Sequence, residues 1–268
     1  FLTIIFLYLS RMFLSLITKL FRFYVLSRSH VALALLSLLI LTHRFYDLSW
    51  QAPLFVFVFC ATVLTYNFTR YYAFLKVKSS FKTPQIAFSS TVALGLGFSA
   101  LKLPSQTLFF ALVLGLVSLA YALPKNRFFG GLRQLPYMKS FIVAGSWASV
   151  VVLLPLISHQ IEFDRQSWLL WFQMALWTFA TMISFEIRDT NNDSESMKTI
   201  PQVFGIRGAK LVGTLALIGV VFLSYSLSIQ NGDMIPTVIA TILAFVCLWK
   251  STIEQSTYFA SFWVEALP

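Results

Sequence analysis

The chain has 268 residues, of which 58% are apolar and 11% charged, with twenty Lys and Arg against ten Asp and Glu. A water-soluble domain carries about a quarter charged residues, so a soluble globular protein is excluded and a membrane protein is expected. The net charge of +10 calls for no nucleic acid, because basic cytoplasmic loops and contact with anionic lipid account for it.

In chain order, residues 1–29 come first and read as an interfacial or partly membrane-embedded helix. FLTIIFLYLSRMFLSLITKLFRFY is apolar but broken by Arg11 and Lys19, the pattern of a helix lying in the headgroup layer. The chain begins at Phe1 rather than Met, so a processed or incomplete N-terminus is expected and no signal peptide is read there. Residues 30–268 form one transmembrane domain. Apolar runs of about 17 to 25 residues cross the hydrocarbon layer as helices. Eight are placed, at 30–42, 51–68, 86–101, 106–123, 138–157, 167–185, 208–228 and 234–250, and a ninth begins near Thr257 and is cut short at Pro268. Lys and Arg collect in cytoplasmic connections. Seventeen of the twenty fall in one alternating set of connections, and only Arg44, Lys102 and Arg165 in the other. Both ends of the eight-span core, and the loop after the sixth span, are therefore placed in the cytoplasm of a bacterial-type inner membrane.

Cys60 and Cys247 sit inside spans, where a free thiol behaves as a small apolar side chain. His30, His43 and His159 are scattered without metal-ligand spacing. The pair Gly95 and Gly97 lies within a span and is expected to permit close helix contact.

The loop after the sixth span breaks the apolar pattern. SFEIRDTNNDSESMKTIPQVFG, residues 184–205, holds Glu186, Asp189, Asp193 and Glu195, four of the ten acidic residues. Glu186, Asp189 and Asp193 stand at i, i+3 and i+7, which places them on one helix face. Two readings fit. In one, this is a wet loop neutralised by Arg188 and Lys198. In the other, the stripe gathers Mg²⁺, a hard ion bound through one or two carboxylates plus substrate phosphates, and the metal turns a diphosphate into a good leaving group.

Glu186, Asp189, Asp193, then Met197-Lys198-Thr199-Ile200-Pro201 and Gly205, resemble the second aspartate-rich motif of the UbiA superfamily of intramembrane prenyltransferases. Tyr121-Ala122-Leu123-Pro124 resembles the end of that family's fourth helix, and Lys139 through Trp147 resembles its fifth. The resemblance implies an all-α integral membrane bundle of eight to nine helices around a central lipid-facing cavity. It also implies a polyprenyl diphosphate held through Mg²⁺ by Glu186, Asp189 and Asp193, with Asp189 and Asp193 catalytic. Arg188, Lys198 and Tyr121 are then expected to line the substrate.

The family's first motif is altered. Asn67 is in place, but Phe68, Tyr71 and Leu75 stand where aspartates are expected, and no carboxylate occurs between Asp47 and Glu162. Arg70 then has three readings: a direct phosphate contact with catalytic weight, helped by Lys76 or Lys78; a salt bridge to the surviving carboxylates; or a membrane anchor. An Arg fork suits phosphate oxygens, and an ionisable residue at membrane depth is a functional candidate by default. The aromatic content of 17% suits an allylic cation as well as it suits a lipid-facing surface.

The leading expectation is a protein that binds a polyprenyl diphosphate at the cytoplasmic mouth and transfers the prenyl group to an aromatic or other lipid acceptor. The alternative is a catalytically inactive relative that serves as a structural or assembly subunit with other membrane proteins. A third possibility is an isoprenoid carrier without chemistry.

Overall fold

The computed structural model describes residues 2–74, 82–123, 131–231, 234–256 and 258–267, and among these the side chains of 2–11, 70–74, 82–85 and 228–231 lie outside the description. The described residues form helices and no strand: α1 (Leu2–Leu26), α2 (Ser29–Phe45), α3 (Ala52–Phe74), α4 (Lys82–Ala100), α5 (Ser105–Ala122), α6 (Met138–Ala148), α7 (Leu154–Ser158), α8 (Arg165–Asp189), α9 (Ile200–Asn231) and α10 (Ile235–Lys250). Among the described residues five segments are long and apolar enough to cross a membrane, Met138–Ser158 being one, and the pair Met12–Leu26 and Ser29–Phe45, bent by 62°, makes a sixth if it is one broken span. Two shorter apolar helices, Ile86–Ala100 and Ile235–Lys250, accompany them. The protein is thus an all-helical integral membrane protein.

Each expected apolar segment falls on a helix, with three local differences. First, α1 and α2 are separated at Arg28, which takes left-handed φ 65°. Second, the segment at 138–157 is interrupted by a π-turn at Ser149–Leu153 before Pro155 opens α7. Third, α9 starts at Ile200 rather than 208, with Pro201 in its first turn, where a missing N–H is harmless. Its first turn is offset from the rest by Gly205 at φ 69°, ψ 171°, a conformation essentially restricted to glycine. The expected ninth helix appears as a short π-type segment, Phe259–Val264.

Helix starts follow from local chemistry. At α8 the Asp164 carboxylate accepts from Ser167 N at 2.8 Å, and Ser167 Oγ accepts from Asp164 N at 2.7 Å, a reciprocal capping box. The core draws on α2, α3, α7, α8, α9, α10 and the π-turn, around Leu39, Leu54, Val151, Leu156, Ile183, Ile187, Leu217 and Leu248. Small residues let these backbones approach: a Cβ on Gly213 would lie 2.7 Å from Leu248, and one on Gly95 3.1 Å from Cys60 Sγ. Leu94, Phe109, Leu215 and Phe222 face outward and exposed, a surface for lipid.

Candidate functional site

Three carboxylates gather where α8 ends, and they have different environments. Glu186 is 2% exposed. Its Oε1 accepts from Ser140 Oγ at 2.5 Å and its Oε2 from the backbone N of Ile200 at 3.1 Å. It therefore joins α6, α8 and the start of α9. Asp189 closes α8, and Asp193 is drawn back over it because Asp193 N donates to Asp189 O at 2.8 Å. Gln202 Nε2 donates to the Asp193 carbonyl at 3.0 Å and fixes the loop from α9.

Cations cover the two aspartates. Arg188 Nε and Nη2 donate to the two oxygens of Asp189 at 2.7 and 3.1 Å. Lys139 Nζ, from the first turn of α6, hydrogen-bonds Asp193 Oδ2 and lies 3.8 Å from Asp189 Oδ2. Arg133 Nη2 stands 3.5 Å from Asp193 Oδ1. The Lys139 and Asp193 side chains are each 5% exposed, so this is a buried pair, and removing one partner of such a pair costs about 3–5 kcal/mol. The chain of polar contacts continues from Arg188 Nη1 to Ser261 Oγ at 2.9 Å. At Ser261 the carbonyl meets His30 Nε2 at 2.7 Å, and Glu265 Oε2 lies at the same distance from that nitrogen.

Beside the aspartates is a polar mouth of 440 Å³ lined by Thr69, Tyr121, Arg133, Gln134, Asn192 and Asp193 among others. Below it lies an apolar cavity of 130 Å³ that includes Ala61, Thr62, Thr65, Tyr66, Gly115, Ser118 and Trp147. The same helix faces serve both. Thr62, Thr65 and Thr69 on α3, and Gly115, Ser118 and Tyr121 on α5, recur at i+3 and i+4 spacing, which stacks them along one side of each helix. The mouth and the apolar cavity therefore lie along the same sides of α3 and α5. Tyr66 accepts from Trp147 Nε1 at 3.1 Å, and these two side chains also wall a small cavity of 30 Å³ shared with Trp177, Thr178, Phe185 and Glu265.

The expected site residues distribute as follows. Asp193 and Tyr121 line the mouth, with Asp189 and its partner Arg188 joined to Asp193 through Lys139. Glu186 is close by but turned into the protein. Asn67 on α3 is buried and donates to Ser89 Oγ at 3.2 Å, tying α3 to α4. Lys198 is exposed, in left-handed backbone at φ 44°, and lines a polar opening of 660 Å³ with Asp193 and Gln202. The Arg70 side chain and the whole of Lys76 lie outside the described residues. Reading the sequence missed Lys139, Ser140 and Arg133 as partners of the acidic stripe. Lys139 stood in a quoted motif, but nothing in spacing joins residues about fifty positions apart.

A metal has two suitable donors here. Asp189 and Asp193 share the neighbour Lys139 and present hard carboxylate oxygens, and one or two carboxylates plus substrate phosphates suit Mg²⁺. Glu186 does not complete the set, since both its oxygens are hydrogen-bonded within the protein. Among the described residues no three His, Cys, Asp or Glu side chains are grouped to hold a metal ion.

An apolar helical bundle with a polar cluster at the end of one long helix defines an intramembrane protein. The sequence model of the UbiA prenyltransferase family matches residues 80–256, more than half of the chain, and the protein belongs to that family. The match begins beyond Asn67 to Leu75, the altered first motif. No curated protein matches the sequence. Among solved structures, the apo structure of a UbiA homolog from Aeropyrum pernix K1 is similar, with TM-score 0.61 and 13% identity over 92% of this chain and 95% of that one. At that identity the likeness carries the fold.

Proposed function

We propose that the protein binds a polyprenyl diphosphate, with the diphosphate at the mouth beside Asp189, Asp193, Arg188 and Tyr121 and the tail in the apolar cavity along α3 and α5. Transfer of the prenyl group to an aromatic or other lipid acceptor is the proposed activity, at the cytoplasmic face of a bacterial-type inner membrane. The observation that carries this reading is the shared wall: one face of α3 and one face of α5 line both the charged mouth and the apolar cavity. An apolar cavity of about 150 Å³ admits a benzene-sized group, so 130 Å³ suits about one isoprenoid unit.

In the proposed reaction the bond between the allylic carbon and the diphosphate oxygen breaks, and its electron pair leaves with the diphosphate. The acceptor bonds to that carbon and releases a proton. Mg²⁺ held by Asp189 and Asp193 would stabilise charge on the departing oxygens. Arg188 and Lys139 bind the phosphate oxygens and hold the leaving group. Tyr66 and Trp147, which line the apolar cavity, would attract the developing positive charge of the allylic carbon. Purified protein with Mg²⁺ and geranylgeranyl diphosphate should release diphosphate and lose that ability on Asp189→Ala. No release with a panel of prenyl donors and acceptors ends the transferase reading.

A second reading is a non-catalytic subunit of a membrane assembly. It is favoured by the missing carboxylates between Asp47 and Glu162 and by the complete cation cover on Asp189 and Asp193. Copurification of a stoichiometric membrane partner, with function intact in Asp189→Ala, distinguishes it.

A further inference from the structure

All four oxygens of the two aspartates already face a cation. Asp189 Oδ1 and Oδ2 receive Nε and Nη2 of Arg188, and Oδ2 also faces Lys139 Nζ at 3.8 Å. Asp193 Oδ2 bonds Lys139, and its Oδ1 faces Arg133 at 3.5 Å. Lys139 is 4% exposed, so its ammonium is not a mobile surface group that drifts away as an ion arrives. It is set between the same two carboxylates that would bind a divalent cation, and like charges at such close range repel strongly away from water.

Resting on the functional reading above, we propose that the Lys139 ammonium is a tethered competitor for the divalent ion. It holds the position between Asp189 and Asp193, and Mg²⁺ enters only together with a diphosphate that draws Lys139 and Arg188 onto its own oxygens. The charge count gives the reason. Lys139, Arg133 and Arg188 face Asp189 and Asp193, and with the Glu186 carboxylate held beside them by Ser140 and Ile200 the cluster sets three cations against three anions. A metal alone adds uncompensated positive charge to that balance, whereas metal and diphosphate together offset it. Each aspartate then exchanges a protein cation for the metal, and each protein cation exchanges a carboxylate for phosphate. The two ligands consequently raise each other's affinity by the same factor. The arrangement keeps the mouth metal-free until its anion is present.

The test uses Mn²⁺ as a paramagnetic probe on the full chain purified in detergent, without anion, by the loss of the free-ion EPR signal. Wild type is expected to bind Mn²⁺ weakly, and Lys139→Met at least about tenfold more tightly, within the usual range of coupling energies. That gain should vanish when Asp193→Asn is added. Lys139→Arg, which keeps the charge, should bind as weakly as wild type, and addition of farnesyl thiodiphosphate to wild type should bring Mn²⁺ onto the protein. Tight Mn²⁺ binding by anion-free wild type, abolished by Asp193→Asn, overturns the inference, and this arm needs no Lys139 variant to fold. Equal Mn²⁺ affinities of wild type and folded Lys139→Met overturn it as well. Tight farnesyl thiodiphosphate binding with neither metal nor any change on adding it overturns the exchange but leaves the functional reading standing. Absence of farnesyl thiodiphosphate binding with or without Mn²⁺ overturns the functional reading itself, and the exchange with it.

Discussion

Ser140 donates its hydroxyl to Glu186 Oε1 at 2.5 Å while Ile200 N donates to the other oxygen, so one carboxylate fastens three helices beneath the mouth. Glu186 is fully enclosed, and hydrogen bonds to a charged group contribute about 1.5–3 kcal/mol each. Glu186→Ala should therefore lower unfolding stability by at least about 3 kcal/mol, seen as a fall in thermal midpoint in detergent. Glu186→Asp shortens the reach by a methylene and should lose part of that. A variant as stable as wild type would remove Glu186 from its structural place.

Asp189 and Arg188 should separate from Glu186 in the same experiment. Both are partly exposed, so Asp189→Ala and Arg188→Ala should cost less stability than Glu186→Ala. Each should weaken farnesyl thiodiphosphate binding by at least about tenfold, the scale of a lost charge-assisted contact. Unchanged affinity in both variants would move the diphosphate elsewhere.

Gly115 offers a way to fill the tail cavity without breaking contacts. It lines the apolar space, and a Cβ there would meet nothing within 4 Å. Gly115→Phe should leave the thermal midpoint nearly unchanged, weaken binding of geranylgeranyl thiodiphosphate, and leave inorganic pyrophosphate binding intact. Equal loss of both ligands would argue against a tail in this cavity.

Gly205→Ala tests the kink that aims the first turn of α9 at Glu186. Its φ of 69° with ψ of 171° costs a non-glycine residue about 1–3 kcal/mol. The expected outcome is a destabilisation of that size by thermal melting, although no side chain crowds the position.

Asp164 supplies a pH-dependent element at the other end of α8. Burial raises its pKa, but the Ser167 backbone N–H and hydroxyl, with Tyr46 Oη at 3.3 Å, outweigh it and hold the carboxyl below its ordinary value. Burial likewise pushes the Tyr46 phenol up to about 12, so Tyr46 stays a donor at neutral pH. A depressed carboxylate contributes stability above its unfolded-state pKa and loses it as pH falls through the folded-state value. Asp164→Asn should keep the cap yet abolish that acid-side loss, and Asp164→Ala should cost about 1 kcal/mol at neutral pH. Acid melting curves of the three proteins check both.

Much of the bundle was legible because lipid imposes a simple rule: runs such as residues 106–123 and 167–185 are apolar on every face, and α5 and α8 lie on them. The start of α9 was misplaced because Ile200 to Arg207 holds Pro, Gln, Gly and Arg and reads as loop, whereas Glu186 anchors Ile200 N and Gly205 absorbs the turn. At the site, Asp189 and Asp193 lie together, but α8 ends at Asp189, and the bond from Asp193 N to Asp189 O, not a helix running through both, brings them there. The i, i+3, i+7 spacing did not separate Glu186 from them, because only α6 packing against α8 brings Ser140 within reach. The same packing delivers Lys139, an ion partner that no periodicity within one helix encodes.

The Trp147 to Tyr66 hydrogen bond has a wider effect than its length suggests. Each ring belongs to two compartments, the tail cavity on the α3 and α5 side and the smaller chamber that holds Glu265. One donor and one acceptor thus act as a bulkhead across the interior of the bundle. The indole N–H and the phenol thereby hold in place the two rings that the apolar cavity and the Glu265 chamber have in common.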